Sequence, residues 1–597
     1  MKHGIATVCL SGDLREKLHA AADAGFEVVE LFEPDLIAAP ESPEEIRALA
    51  ARLGLELALY QPMRDVEGVD DEEFARVLSR VEAKFALCER LGMDLVLVCS
   101  NVATATIDDA EHSARQLGAV ADVAARHGVR LAFEALAWGR FVSDYRDAWN
   151  IVRLADRPNL GVCLDSFHIL SRGHALDAIA EIPGERILFL QLADAPALSM
   201  DVLSWSRHHR LFPGEGDWDL VDFTRRVLDA GYTGPLSLEV FNDVYRQTSP
   251  RETAVQARRS LLQLEDGLGT VALPAAQVPH GVDFVEITAE RLEPVERMLR
   301  QLGLRDRGPH RSKPTRLWES GSARIVLDEQ GARGCVPRLT GIGLVVDDAV
   351  AAVTRARALA ADEALRRTDP GDARLEGVVA PGDTEVFWDS APGGVPSWRA
   401  EFAGAAEAGE SGGVLSVDHV NLTQSWRSVD AAVLFGRSVL GLEPQQRVEV
   451  AGPTGLVGSR VLRDSAGAVR VPLNVLPIDA EEHGGEAARS RHVAFRTDDA
   501  IGLAARARAA GLRMLPIPAN YYEDLAARLE IDAELLAQLR ELDLLYDRDE
   551  RGAFIHFYTE TVGEVFFEIV QRIDDYDGYG AAGAPVRLAA QRALAQG

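Results

Sequence analysis

Eight times in its first 268 residues the chain passes from a short run of Val, Ile, Leu or Phe into an amphipathic stretch of helical period. A sheet of parallel strands joined by helical crossovers accommodates that alternation, because each apolar run is then buried on both faces. The runs are GIATVCL, EVVELF, LELALYQP, DLVLVCS, VRLAFEAL, LGVCLDSF, ILFLQLAD and GPLSLEVF. Between them lie segments such as SPEEIRALAARLG and DEEFARVLSRVEAKFALCERLG, whose apolar residues recur at three and four and which end on a helix-terminating glycine. Eight such units over residues 1–268 predict an α/β fold, a closed (β/α)8 TIM barrel. A doubly wound open sheet is the alternative, weakened because no GxGxxG follows the first strand.

Residues 269–280 lack periodicity and contain two prolines, which marks a linker. Beyond it, over 281–597, strand-like segments such as GVDFVEITAE, LTGIGLVVDD, VDHVNLT, RHVAFRTDD and EVFFEIVQR dominate. The phrases GLVVDDAVAAVTRARALA and HVAFRTDDAIGLAARARAAG repeat a pattern of strand, Asp-Asp and helix, so this half is expected to be an α+β duplication of βαβββ modules. The modules span about 281–403 and 414–597, separated by the Gly, Glu, Ala and Ser-rich stretch at 404–413.

A formal net charge of −30 argues against nucleic acid or an anionic membrane surface as the main partner. No run reaches the length of a membrane span, and MKHGIATVCLSG enters its first strand without the apolar core of a signal peptide. The five cysteines are scattered without CxxC pairs and read as reduced thiols, so a cytoplasmic protein is expected.

Function concentrates where four consecutive apolar runs end. Glu134, Asp165, Gln191 and Glu239 each interrupt one of them near its C-terminal end, the face on which barrels of this kind carry their sites. Three carboxylates and an amide form an all-oxygen set suited to Mg2+, Mn2+ or Co2+. Any one of these residues alone is as readily an ion-pair or capping group; the set is what points to a metal. His168, three residues after Asp165, is the candidate general base. Arg64 follows the third strand, and Ser206, Arg207, His208, His209 and Arg210 occupy the loop after the seventh. Arg64 and Arg210 suit the carboxylate of an anionic substrate, with Ser206, Tyr60 and Gln61 as further polar contacts.

At these residues the chain resembles the xylose-isomerase-like barrels, and more narrowly the bacterial 3-dehydroshikimate dehydratases of the long form. The carriers are YQPMRD, the FEAL and LDSFH strand ends, QLADAP and HRLFPGEGDWDL. The resemblance implies metal ligation by Glu134, Asp165, Gln191 and Glu239, and conversion of a small anionic carbocycle, 3-dehydroshikimate, to protocatechuate by loss of water. The metal would stabilise an enolate and His168 would take the α proton, with Glu134 an equally placed proton-transfer group. A sugar or polyol isomerase or epimerase on the same barrel is the alternative.

In the last module His419, His492 and Glu568 form the two-histidine, one-carboxylate set of non-haem iron oxygenases. With VPLNVLP, ANYYEDL, LLYDRDERG and FYTETVGEVFFEIVQR they resemble 4-hydroxyphenylpyruvate dioxygenase, of the vicinal oxygen chelate superfamily. That implies a second divalent metal, Fe2+ or Mg2+. Two departures argue against turnover of 4-hydroxyphenylpyruvate: His556 replaces a glutamine of that family, and GYGAAGAPVRLAAQRALAQG lacks the phenylalanine-bearing gating helix expected after the GxG turn. The half is then either structural or a ring-cleaving dioxygenase, its first module a scaffold without a matching ligand set. A homo-oligomer is expected.

Overall fold

The computed structural model describes all residues except 331–332, 367, 391–394, 406–411, 454, 476–488 and 597, and the side chains of 595 and 596. It forms two compact units, Met1–Leu273 and Pro274–Gly597. Most of the stretch at 404–413 and the end of VPLNVLP therefore lie outside the described residues.

In the first unit β1 (His3–Ala6), β2 (Val28–Phe32), β3 (Glu56–Met63), β4 (Leu95–Cys99), β5 (Arg130–Glu134), β6 (Leu160–Asp165), β7 (Ile187–Leu192) and β8 (Leu236–Leu238) close a parallel barrel. Closure is made by β8 pairing with β1, as in Ile5 opposite Leu238. Local sequence explains the crossovers. Ser42 and Asp70 cap the helices Pro43–Arg52 and Asp71–Leu91, and Gly92 ends the second with a positive φ of 74°. An oxygen-bearing cap of this kind is worth about 1 kcal/mol. Inside the barrel, Leu97, Cys99, Ala132, Cys163 and Phe189 form their own apolar cluster. Side chains alternate along a strand, so Glu134, Asp165 and Gln191, each two residues beyond a member of that cluster, must also face inward, one layer above it.

The second unit opens with β9 (Gly281–Thr288), β10 (Arg305–Pro309), β11 (Thr315–Ser320), β12 (Ala323–Asp328), β13 (Arg338–Val345), β14 (Asp362–Glu363), β15 (Gly377–Ala380) and β16 (Thr384–Asp389). They form one sheet in the order β10-β11-β12-β9-β13-β16-β15-β14. The remaining strands are β17 (Ser416–Gln424), β18 (Glu443–Pro444), β19 (Val448–Gly452), β20 (Gly455–Arg463), β21 (Arg470–Val475), β22 (Arg491–Arg496), β23 (Leu545–Arg548), β24 (Gly552–Tyr558) and β25 (Val565–Asp574). Their order is β18-β20-β21-β17-β22-β25-β24-β23, with β19 on β20. The inner strands of the two sheets correspond one to one, which is the duplication expected from the repeated Asp-Asp phrases. Asp348 and Asp499 cap equivalent helices, Ala349–Ala358 and Ala500–Ala509.

Candidate metal centres

Glu134 closes β5, Asp165 closes β6, Gln191 lies one residue short of the end of β7, and Glu239 directly follows β8. All four are buried. Asp165 also starts the next element: its Oδ1 accepts the His168 N–H at 3.1 Å, beginning a short helix that lifts the imidazole over the barrel mouth. His168 Nε2 then lies 3.8 Å from Glu134 Oε1 and 3.9 Å from Asp165 Oδ2. Its Nδ1 accepts the Ala137 N–H at 3.1 Å, and its Nε2 lies 3.3 Å from the donor Arg210 Nη2, so both ring nitrogens face N–H groups. Burial, with Arg210 and Arg64 nearby, outweighs the pull of Asp165 and drops its pKa to about 3.

The carboxylates strain against each other. Burial, then Asp165 and Glu239, push Glu134 well above the usual carboxylate range. Burial lifts Glu239 to about 7 despite Arg210. Burial also works against Asp165, but Arg210 and His168 hold it below its ordinary value. Glu134 Oε1 is buried without a hydrogen-bond partner. An unpartnered buried carboxylate oxygen among crowded acids is a donor in want of a cation, so the donor set fits a hard divalent ion.

The two arginines play different parts. Arg210, expected as a substrate contact, is buried among the acids: Nη1 reaches Asp165 Oδ2 at 2.8 Å and Glu239 Oε2 at 3.0 Å, and Nη2 reaches Ser206 Oγ at 2.9 Å. Its guanidinium stacks on Phe167, 4.6 Å from the ring centre. Ser206 is thus a partner of Arg210. Arg64 has no carboxylate within ion-pair distance among the described residues, and it lines both the small cavity at the acids, about 60 Å3, and an adjoining one of about 310 Å3. Tyr60 opens onto the outer cavity, its hydroxyl donating to Glu33 Oε1 at 2.7 Å.

Sequence reasoning passed over two acids. Glu30, inside EVVELF, accepts from Gln191 Nε2 at 2.6 Å, Gln61 Nε2 at 3.0 Å and Ser237 Oγ at 2.5 Å. By taking the amide nitrogen of Gln191 it leaves Oε1 as the acceptor end, which takes the Cys163 Sγ–H at 3.4 Å. A lone acid inside an apolar run was the available signal. Asp194, in QLADAP, accepts the backbone N–H groups of Ala195, Gly214, Gly216 and Trp218 at 2.8–3.1 Å, pinning the FPGEGDW loop.

In the second unit His419 Nε2 and His492 Nε2 each lie 3.1 Å from Glu568 Oε2. Asp418 Oδ1 takes the His419 Nδ1 proton at 2.8 Å, which turns the Nε2 lone pair toward the other two residues, the arrangement that orients metal-binding imidazoles. His556 Nδ1 lies 2.7 Å from Glu568 Oε1, so the residue that departs from the dioxygenase pattern touches the carboxylate of the triad directly. Contrary to the expectation of no helix there, the C-terminal segment forms one, Ala584–Gln596, without a phenylalanine, and it lays Arg587 over the Tyr558 and Phe566 rings.

The sequence model of the xylose isomerase-like TIM barrel family matches residues 18–264. A 3-dehydroshikimate dehydratase of Pseudomonas putida is 41% identical, covering 99% of this chain and 98% of its own length. One from Pseudomonas aeruginosa is 42% identical, covering 100% and 99%. A solved structure described as a xylose isomerase-like TIM barrel/4-hydroxyphenylpyruvate dioxygenase fusion protein superposes with a TM-score of 0.89 at 40% identity, covering 100% of this chain and 99% of that one. By its barrel, its second half and its end-to-end identity, the chain belongs to the 3-dehydroshikimate dehydratases, in the form fused to a 4-hydroxyphenylpyruvate dioxygenase-like domain.

Proposed function

We propose that the barrel removes water from 3-dehydroshikimate to give protocatechuate, with Glu134, Asp165, Gln191 and Glu239 holding a divalent ion of the Mg2+, Mn2+ or Co2+ class. When bound, that ion supplies Lewis acidity toward the substrate carbonyl, which makes the adjacent C–H acidic enough to lose. The observation that carries the reading is the pairing of one unpartnered carboxylate oxygen, on Glu134, with one guanidinium free of acids, on Arg64, in the wall of the same cavity. Arg64 takes the substrate carboxylate in a bidentate grip. Arg210 balances the charge of Asp165 and Glu239. His168, unprotonated at neutral pH, is the proton-transfer group, and to accept at Nε2 it must exchange the Arg210 N–H for the substrate's proton. Glu134, 3.8 Å from Nε2, is the neighbouring proton-transfer group for the departing hydroxyl. Trp138, whose ring centre is 5.0 Å from that of His168, helps keep water away.

In the second half His419, His492 and Glu568 hold a second divalent ion, Fe2+ or Mg2+, with His556 fixing the Glu568 carboxylate. Oxygen uptake with protocatechuate would mark ring cleavage there; none would mark a structural half.

The test is an ultraviolet time course of metal-stripped protein with 3-dehydroshikimate, before and after adding each metal. Metal-dependent growth of a catechol-type absorbance is expected. A flat trace with every metal would sink the dehydratase reading.

A further inference from the structure

The first module of the second unit contains a cavity of about 480 Å3 that neither metal centre uses. Its place follows from the duplication. Counting back from the paired caps Asp348 and Asp499 sets Gly341 against His492 and Gly343 against Ala494. Gly343 is opposite Phe284 on β9 and Phe387 on β16, while Ala494 is opposite His419 on β17 and Glu568 on β25. Phe284, Gly341 and Phe387 therefore stand where the other module has its triad. Every ligating atom is gone from that position, yet the cup is open. The two phenylalanine rings lie 6.0 Å apart and join Val326, Trp398 and Phe402 in an apolar cluster along its wall.

Its polar end is selective. Arg366 grips Glu286 at 2.7 and 2.8 Å, pairs with Glu385 through Nε at 2.7 Å and lies over the Phe387 ring, so that face is covered by a guanidinium already neutralised by two carboxylates. His310, Asp372 and Glu401 cluster nearby, but the Ser312 and Lys313 N–H groups donate to His310 Nδ1 at 3.1 and 3.2 Å. The proton is then on Nε2, directed to Glu401 Oε2 at 2.9 Å, and no lone pair is left for a metal. Asp328 differs: among the described residues its carboxylate accepts only the Gln330 N–H, at 2.9 Å, and enters no ion pair. Burial, with Glu286 and Glu329 adding to it, raises its proton affinity. Lys313 stands at the rim, 3.5 Å from Asp372.

We propose that this cup binds a flat, hydroxylated aromatic acid. The ring lies among Phe284, Phe387, Trp398 and Phe402, a hydroxyl donates to Asp328, and the carboxylate faces Lys313. Protocatechuate, the product assigned to the barrel, is of this class, and that identification rests on the dehydratase reading. The test is equilibrium dialysis of the full-length, metal-loaded chain with 3,4-dihydroxybenzoate, comparing wild type, Asp328→Ala and Val326→Trp. Each variant should bind one molecule fewer per chain while dehydratase kcat and metal content stay at wild-type values. Equal binding by all three chains, or tighter binding of benzylamine than of the acid, would overturn the proposal. Loss of probe in the two cup variants of a chain without dehydratase activity would support the cup and sink only the barrel reading.

Discussion

At the residue scale, buried charge decides what each side chain can do. Arg64 and Arg210 look alike in sequence, but only Arg64 is free of acids, so Arg64→Ala is expected to lower kcat/KM for 3-dehydroshikimate by about 10- to 100-fold, the worth of a charged hydrogen bond. Steady-state kinetics check this, and an unchanged KM would count against the assignment. Glu30→Ala frees the Gln191 amide to rotate, and metal affinity should fall about 10- to 100-fold, as for other groups that orient a ligand; a chelator competition titration reads it. Glu67 tests the cost of a buried acid. Burial raises its pKa from 4.5 to about 7, although Asn101 N–H donates to it. The folded state therefore holds the proton more tightly than the unfolded one. The stability this gives is present below pH 4.5 and is lost as pH rises through about 7. At pH 8 Glu67→Gln should be more stable than wild type by about 1–3 kcal/mol, with the gap closing near pH 4.5. Urea midpoints at the two pH values measure it.

At the element scale, strand ends place the chemistry and loops complete it. The apolar runs and the four interrupting residues were legible, because strand period and burial are local properties of the chain. The loop after β7 was visible only as the motif FPGEGDW. Its reason is that Asp194 collects four backbone donors, and Gly216 has no room for a side chain, since a Cβ there would stand 2.2 Å from Asp194 Oδ1. Asp194→Ala should orphan those donors and destabilise the barrel by about 3 kcal/mol. Chemical denaturation checks that, and a shift under 1 kcal/mol would mean water replaces the carboxylate.

At the scale of the whole molecule, the chain should bind two divalent ions, one per unit. His419→Ala and Glu239→Ala are each expected to remove one by elemental analysis, and only the second should abolish dehydration. Retention of both ions by either variant would contradict the ligand assignment. The sequence by itself determined the barrel, the duplicated second half and the inward-facing ligand candidates, since alternation along strands and helices is written within a few residues. Only the tertiary structure decided that Arg210 neutralises acids while Arg64 stays free, that Glu30 turns the Gln191 amide, and that Phe284 and Phe387 replace the triad around an open cup. Those outcomes depend on strand register, which brings together groups as far apart as Glu30 and Gln191, 161 residues along the chain.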